Sequence, residues 1–205
     1  MGDTGRYLVP GARHRVEQVI ERSRFICTIQ RTDSSAAAQA FIRDMNSEFA
    51  DVTHNCWAYV AGPPGSTNFI GMSDAGEPHG TAGRPMLTVL LHSGVGEIAA
   101  VVTRYYGGIK LGTGGLVRAY GGTVQLALET LPTIERMDYV DVEISIAYPS
   151  ITLVQQAMTS LEVEVVRQDY GVTVQYLLRV PRPNVERLRA AVAVSTRGEG
   201  EFRAG

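Results

Sequence analysis

Residues 104–122, RYYGGIKLGTGGLVRAYGG, gather the chemistry that a bound phosphate needs. Seven of these nineteen residues are glycine, and every charge is positive: Arg104, Lys110 and Arg118. Lys110 is the only lysine in the chain. The stretch follows an apolar run and precedes a helical pattern, so Gly112, Gly114 and Gly115 expose backbone N–H groups around a helix start, with Thr113 as the N-cap. Orphan donors and the positive end of the helix dipole together make an anion site. Without a Cβ, glycine lets the anion reach the backbone. Lys110 acts there as a point charge and Arg104 or Arg118 as a planar fork, with Tyr105 and Tyr106 as stacking groups. No acid occurs from Ile98 to Ala127. The P-loop pattern fails, because Leu111 follows Lys110. A G-x-G-x-x-A run at Gly94, Gly96 and Ala99 precedes a strand instead of following one, so it is no dinucleotide fingerprint. The competing reading of Gly112–Gly115 is turn geometry. Gly121 and Gly122 fall inside the helical pattern, where each costs about 1 kcal/mol relative to alanine. They are read as packing glycines at a close approach of helix and sheet.

A second constellation is SDAGEPHGTAGRP, residues 73–85. Asp74, Glu77 and His79 can bind a metal or act as acid and base, and Arg84 completes the loop as an anion-binding candidate. The plainer reading, which is favoured, is a polar loop with Thr81 capping the next helix, and no metal site is expected. Asp74 and Glu77 are also alternative partners for Arg104. His54 and Cys56 stand two apart on a strand pattern and face one way. They offer either half of a zinc site or, more simply, a buried cysteine beside a hydrogen-bonded histidine.

These loops need a scaffold, and the chain has the composition for one: 205 residues, 44% hydrophobic and 20% charged. A net charge of -2 does not by itself announce a nucleic-acid binder. Cys27 and Cys56, the only cysteines, suit a reducing compartment. The opening MGDTGRYLVP lacks a signal-peptide h-region, and no apolar run reaches membrane-span length. A soluble cytoplasmic protein without a cofactor is expected. Strands are predicted at 23–30, 55–62, 67–72 and 98–106, the middle two as a hairpin across Gly62-Pro63-Pro64. Helices are predicted after Ser34 or Ser35, from 86 to Gly94, and from Thr113 to Pro132. Beyond Pro132 the pattern changes to strict alternation: Val140, Val142, Ile144, Ile146 and Tyr148, then Val172 to Val180 after a turn at Gly171. Helices capped by Ser150 and Asn184 complete a β-α-β-β-α-β order. The predicted division is 1–133 and 134–205, in an α+β fold.

SDAGEPHGTAGRPML (73–87) with VVTRYYGGIKLGTGGLVRAYGG (101–122) resembles the signature of the IMPACT family (UPF0029), in its bacterial two-domain form. The resemblance implies an N-terminal domain of the ribosomal protein S5 domain 2-like class. It implies a ferredoxin-like C-terminal domain similar to domain V of elongation factor G. Eukaryotic relatives regulate translation through an additional domain that this chain does not begin with. No catalytic residue is carried over. The resulting expectation is a non-enzymatic protein that binds RNA or the ribosome through the glycine-rich site. The alternative is an enzyme on a small phosphorylated substrate or nucleotide, with Mg²⁺ at Asp74 or Glu77. A plain protein–protein module using the edge of the second sheet ranks last.

Overall fold

A computed structural model of the chain describes residues 5–52 and 54–205. Two compact α+β units result: Tyr7–Arg136, and Met137–Gly205 joined by Gly5 and Arg6. The contact division falls a few residues beyond 133, because β7 (Thr133–Met137) pairs with β1 (Arg6–Pro10).

The first unit is built on an antiparallel sheet ordered β2-β3-β6-β4-β5. Its strands are β2 (His14–Ile20), β3 (Ser23–Arg31), β4 (His54–Val60), β5 (Ile70–Ser73) and β6 (Ile98–Tyr105). β4 and β5 form the expected hairpin, with Val60 opposite Ile70. One face carries α1 (Ser35–Glu48), whose Phe41, Ile42 and Met45 pack against Tyr59, Ala99 and Val101. Ser34 caps it, its Oγ accepting from the Ala37 amide at 3.2 Å. The other face carries α2 (Gly83–Leu91) and α3 (Gly112–Glu129) over Cys56, Ala58, Ala100 and Val102. Both faces of β6 are therefore covered. That is why its sequence runs apolar without alternating, in contrast to a strand with one wet face.

In the second unit β8 (Tyr139–Ile146), α4 (Ile151–Ser160), β9 (Glu164–Tyr170), β10 (Val174–Pro181), α5 (Val185–Ser195) and β11 (Glu201–Ala204) follow the β-α-β-β-α-β order. The antiparallel sheet is ordered β11-β8-β10-β9. Val142, Ile144, Ile146, Tyr176 and Leu178 are buried with residues of both helices. Asp141, Glu143, Gln175 and Arg179 alternate with them on the open side. Two predicted caps are corrected. Ser150 (φ -88°, ψ -8°) and Asn184 (φ -97°, ψ -3°) already have helical backbone after a 3₁₀ turn, and neither side chain caps. An N-cap needs extended backbone to aim its oxygen at the first amides. Instead the Ser150 hydroxyl donates to the Ser195 carbonyl and the Asn184 amide to the Leu161 carbonyl.

Candidate functional site

The two motifs meet under α3, where Glu77 of the first joins Arg104 and Tyr120 of the second. On β6 the period of two sends Arg104 to the same face as Val102 and Ala100, toward α3. There it is only 6% exposed. Its Nη1 donates to Glu77 Oε1 at 2.7 Å, and the Tyr120 hydroxyl donates to the same oxygen at 2.7 Å. The guanidinium lies between the rings of Phe25 and Tyr106, each 5.4 Å away. Arg104 is thus a buried ion-pair partner and not an anion ligand, and Glu77 is not free for a metal. Tyr105 is corrected for the same geometric reason: it points to the opposite face, with its hydroxyl 3.4 Å from Asp51 and Arg24 over its ring.

Asp74 is equally committed. Its carboxylate accepts from the amides of Gly80 (2.7 Å), Ala82 (3.0 Å) and Gly83 (2.8 Å), which are the loop end and first turn of α2. Partial burial alone would raise this carboxyl. The three amides, with His79 beside them, outweigh burial and hold it below its ordinary value. Asp74 therefore caps α2 from a distance. Thr81 does not, because its hydroxyl donates to the Pro78 carbonyl at 2.6 Å. His54 and Cys56 do share a face, and they fasten this loop: His54 Nδ1 lies 2.8 Å from the Ala75 carbonyl, and the Cys56 thiol donates to the Asp74 carbonyl at 2.9 Å. Burial, above all other influences, pushes that thiol up to about 12, so it is no thiolate nucleophile.

The remaining charged residues lie outside. Arg84, Lys110 and Arg118 are exposed, and none makes an ion pair among the described residues. α3 starts without a capping side chain, because Leu111 at the N-cap is already helical and Thr113 lies within the first turn, not before it. Gly112 reaches this start with φ +68°, where glycine is unstrained. Arg118 folds back over the turn, its Nη1 3.7 Å from where a Gly114 Cβ would be. Gly115 packs on Leu111 and is a tight-fitting turn residue. Arg84 and Arg118 then flank an open groove of about 580 Å³ between α2 and α3, floored by Pro85, Val89, Val117, Gly121 and Gly122. The packing reading of the two glycines is overturned. A Cβ at Gly121 would make only ordinary 3.8 Å contacts with Pro85 and Val89, and one at Gly122 would meet nothing within 4 Å. α3 approaches the sheet through Leu116, Tyr120 and Val124, not through these positions.

The structure thus brings Arg84 and Arg118 to one groove, with Lys110 and Gly112–Gly115 at the adjoining helix start. It withdraws Arg104, Tyr105, Asp74 and Glu77. Val89, Gly121, Gly122 and Gln125 join the site unforeseen. The costly mid-helix glycines were the available signal.

The glycine-rich helix start and the buried Glu77–Arg104–Tyr120 network both lie within a domain of known class. Residues 21–128 match the Impact N-terminal domain, and residues 144–199 match a domain of unknown function (DUF1949). The chain belongs to the IMPACT family, as a bacterial YigZ-type member. It is 42% identical over 192 residues to the IMPACT family member YigZ of Escherichia coli, covering 94% of each chain. An IMPACT family member of Haemophilus influenzae is 40% identical, covering 94% of this chain and 93% of the relative. A crystal structure of a hypothetical protein is 40% identical with a TM-score of 0.69, covering 97% of this chain and 96% of that one.

Proposed function

We propose that this protein is a cytoplasmic, non-enzymatic RNA-binding protein that regulates translation, contacting RNA or the ribosome through the α2–α3 face. Its two units fit the S5 domain 2-like and ferredoxin-like classes. The single supporting observation is that Arg84 and Arg118 on one groove and Lys110 beside the uncapped start of α3 are exposed and make no ion pair among the described residues. Exposed cations without carboxylate partners are available for phosphates, whose release of counterions drives RNA binding. The enzymatic alternative has less support, because its Mg²⁺ carboxylates are occupied: Asp74 by three amides, Glu77 by Arg104 and Tyr120.

Fluorescence anisotropy with labelled RNA tests this reading. Three phosphate contacts predict a log–log salt slope of roughly -2 on single strands. The combined Arg84→Ala, Lys110→Ala, Arg118→Ala variant should flatten that slope toward zero. RNA binding that is absent at low salt, or unchanged in the triple variant, would sink the proposal.

A further inference from the structure

Gly122 is a mid-helix residue with open space where its side chain would be. Its cost to α3 is about 1 kcal/mol relative to alanine, and Gly121 doubles it. No close packing contact requires either residue. Gly122 instead leaves the space beside α2 open, next to Gly121, whose Cβ would touch Pro85 and Val89 at 3.8 Å. That groove, about 580 Å³, has the size of a small-molecule pocket. Its floor of Pro85, Val89 and Val117 is apolar, its rim carries Arg84 and Arg118 without acid partners, and Gln125 lies at its edge. An occupant must then be flat or slender, apolar over one surface, and anionic at one end.

We infer that this groove seats one unstacked base of single-stranded RNA, with Arg84 and Arg118 holding its flanking phosphates; the inference rests on the RNA-binding reading above. A base fits the flat glycine floor, and the guanidinium planes can stack on it. The Gln125 carboxamide has both a donor and an acceptor for a base edge. A duplex cannot present a base this way, because its bases remain paired and stacked. The groove continues past Val89 into a second stretch of about 470 Å³ lined by His92, Leu128 and Glu129. Glu129 there disfavours a further phosphate beyond the two that flank the base, so the second stretch does not extend the strand's track.

The test uses the full chain and its Gly122→Leu and Gly122→Ala variants, with anisotropy on a uridine dodecamer, on a blunt RNA duplex of the same length, and on an acidic glutamate–leucine dodecapeptide. Both variants should melt at or above the wild-type temperature, which keeps misfolding out of the comparison. Gly122→Leu should weaken the single strand about tenfold, on the scale of one lost stacked base, and leave the duplex unchanged. Wild-type affinity of Gly122→Leu for the single strand overturns the base pocket; if Lys110→Ala and Arg118→Ala still weaken both RNAs, the RNA-binding reading survives without it. Equal wild-type affinity for duplex and single strand also overturns the pocket. Peptide binding that Gly122→Leu abolishes, with RNA unaffected, reassigns the groove to a protein partner. No RNA binding at low salt removes both ideas.

Discussion

The open face of the C-terminal sheet and the α2–α3 face both display arginines, but in opposite states. On the sheet, Arg167 lies 2.9 Å from Asp169, Arg203 3.3 Å from Glu201, and Arg179 within 4.0 Å of both Asp141 and Glu164. On the α2–α3 face, Arg84 and Arg118 have no carboxylate partner among the described residues. Exposed pairs contribute little stability, typically about 0–1 kcal/mol. Their effect is instead to cancel the field each arginine would project. The difference teaches that the number of basic residues on a surface says little about polyanion binding, and that their pairing says much. Arg104 adds a third state, an arginine taken out of solvent altogether.

The sharpest division is between Arg104 and Arg118, two arginines of one motif. Arg104→Met should destabilise the fold by about 3–5 kcal/mol, because it strands the Glu77 charge in the core. Urea denaturation measures it. A loss below about 1 kcal/mol would mean that the Glu77–Arg104 pair is not what holds the two motifs together. Next comes Asp74→Asn, which removes a charged acceptor from three amides, with an expected cost of about 1–3 kcal/mol. The same carboxylate makes stability depend on pH. Its folded pKa is depressed, so its contribution is complete above the unfolded value near 3.9 and is lost as pH falls through the lower folded value. Acid unfolding of Asp74→Asn should accordingly lack that component.

Arg118→Ala should do the reverse of Arg104→Met. Stability should stay within about 0.5 kcal/mol of wild type, while single-stranded RNA affinity falls about tenfold and the salt slope drops by roughly 0.7. Smaller again is Gly122→Ala, which should raise stability by about 1 kcal/mol, since its Cβ meets nothing. A destabilised Gly122→Ala would restore a packing role to that glycine and remove the reason for an open groove.

How far the sequence carries this reading depends on the kind of signal. Strand alternation in β8 and β10 and the apolar run of β6 are patterns of period and burial, so the sheets were legible. Of the caps only Ser34 was legible: Thr81, Thr113, Ser150 and Asn184 are good capping types, but φ/ψ and a distant Asp74 decided the outcome. Arg104 and Tyr105 look equivalent in the motif. The strand sends them to opposite faces, and only the partner elements reveal that one face is a closed core. Gly121 and Gly122 were noticed for their cost, but whether that cost serves packing or an opening depends on what stands across from them.

The smallest expected effect bears most directly on the comparison of the two faces. Arg167→Ala and Arg203→Ala each remove a cation from the C-terminal sheet, the same nominal change as Arg118→Ala. If pairing decides, each should alter RNA affinity by less than about twofold. Each leaves its own acid behind, Asp169 or Glu201, on a face that also carries Asp141 and Glu143. Repulsion from those carboxylates works against any phosphate, so a paired arginine there offers RNA little that its loss could remove. A tenfold loss in either variant would place RNA on the sheet and undo the contrast, whatever happened at Arg118. A flat response, against a marked loss for Arg118→Ala, would localise binding to the face whose arginines have no partner of their own.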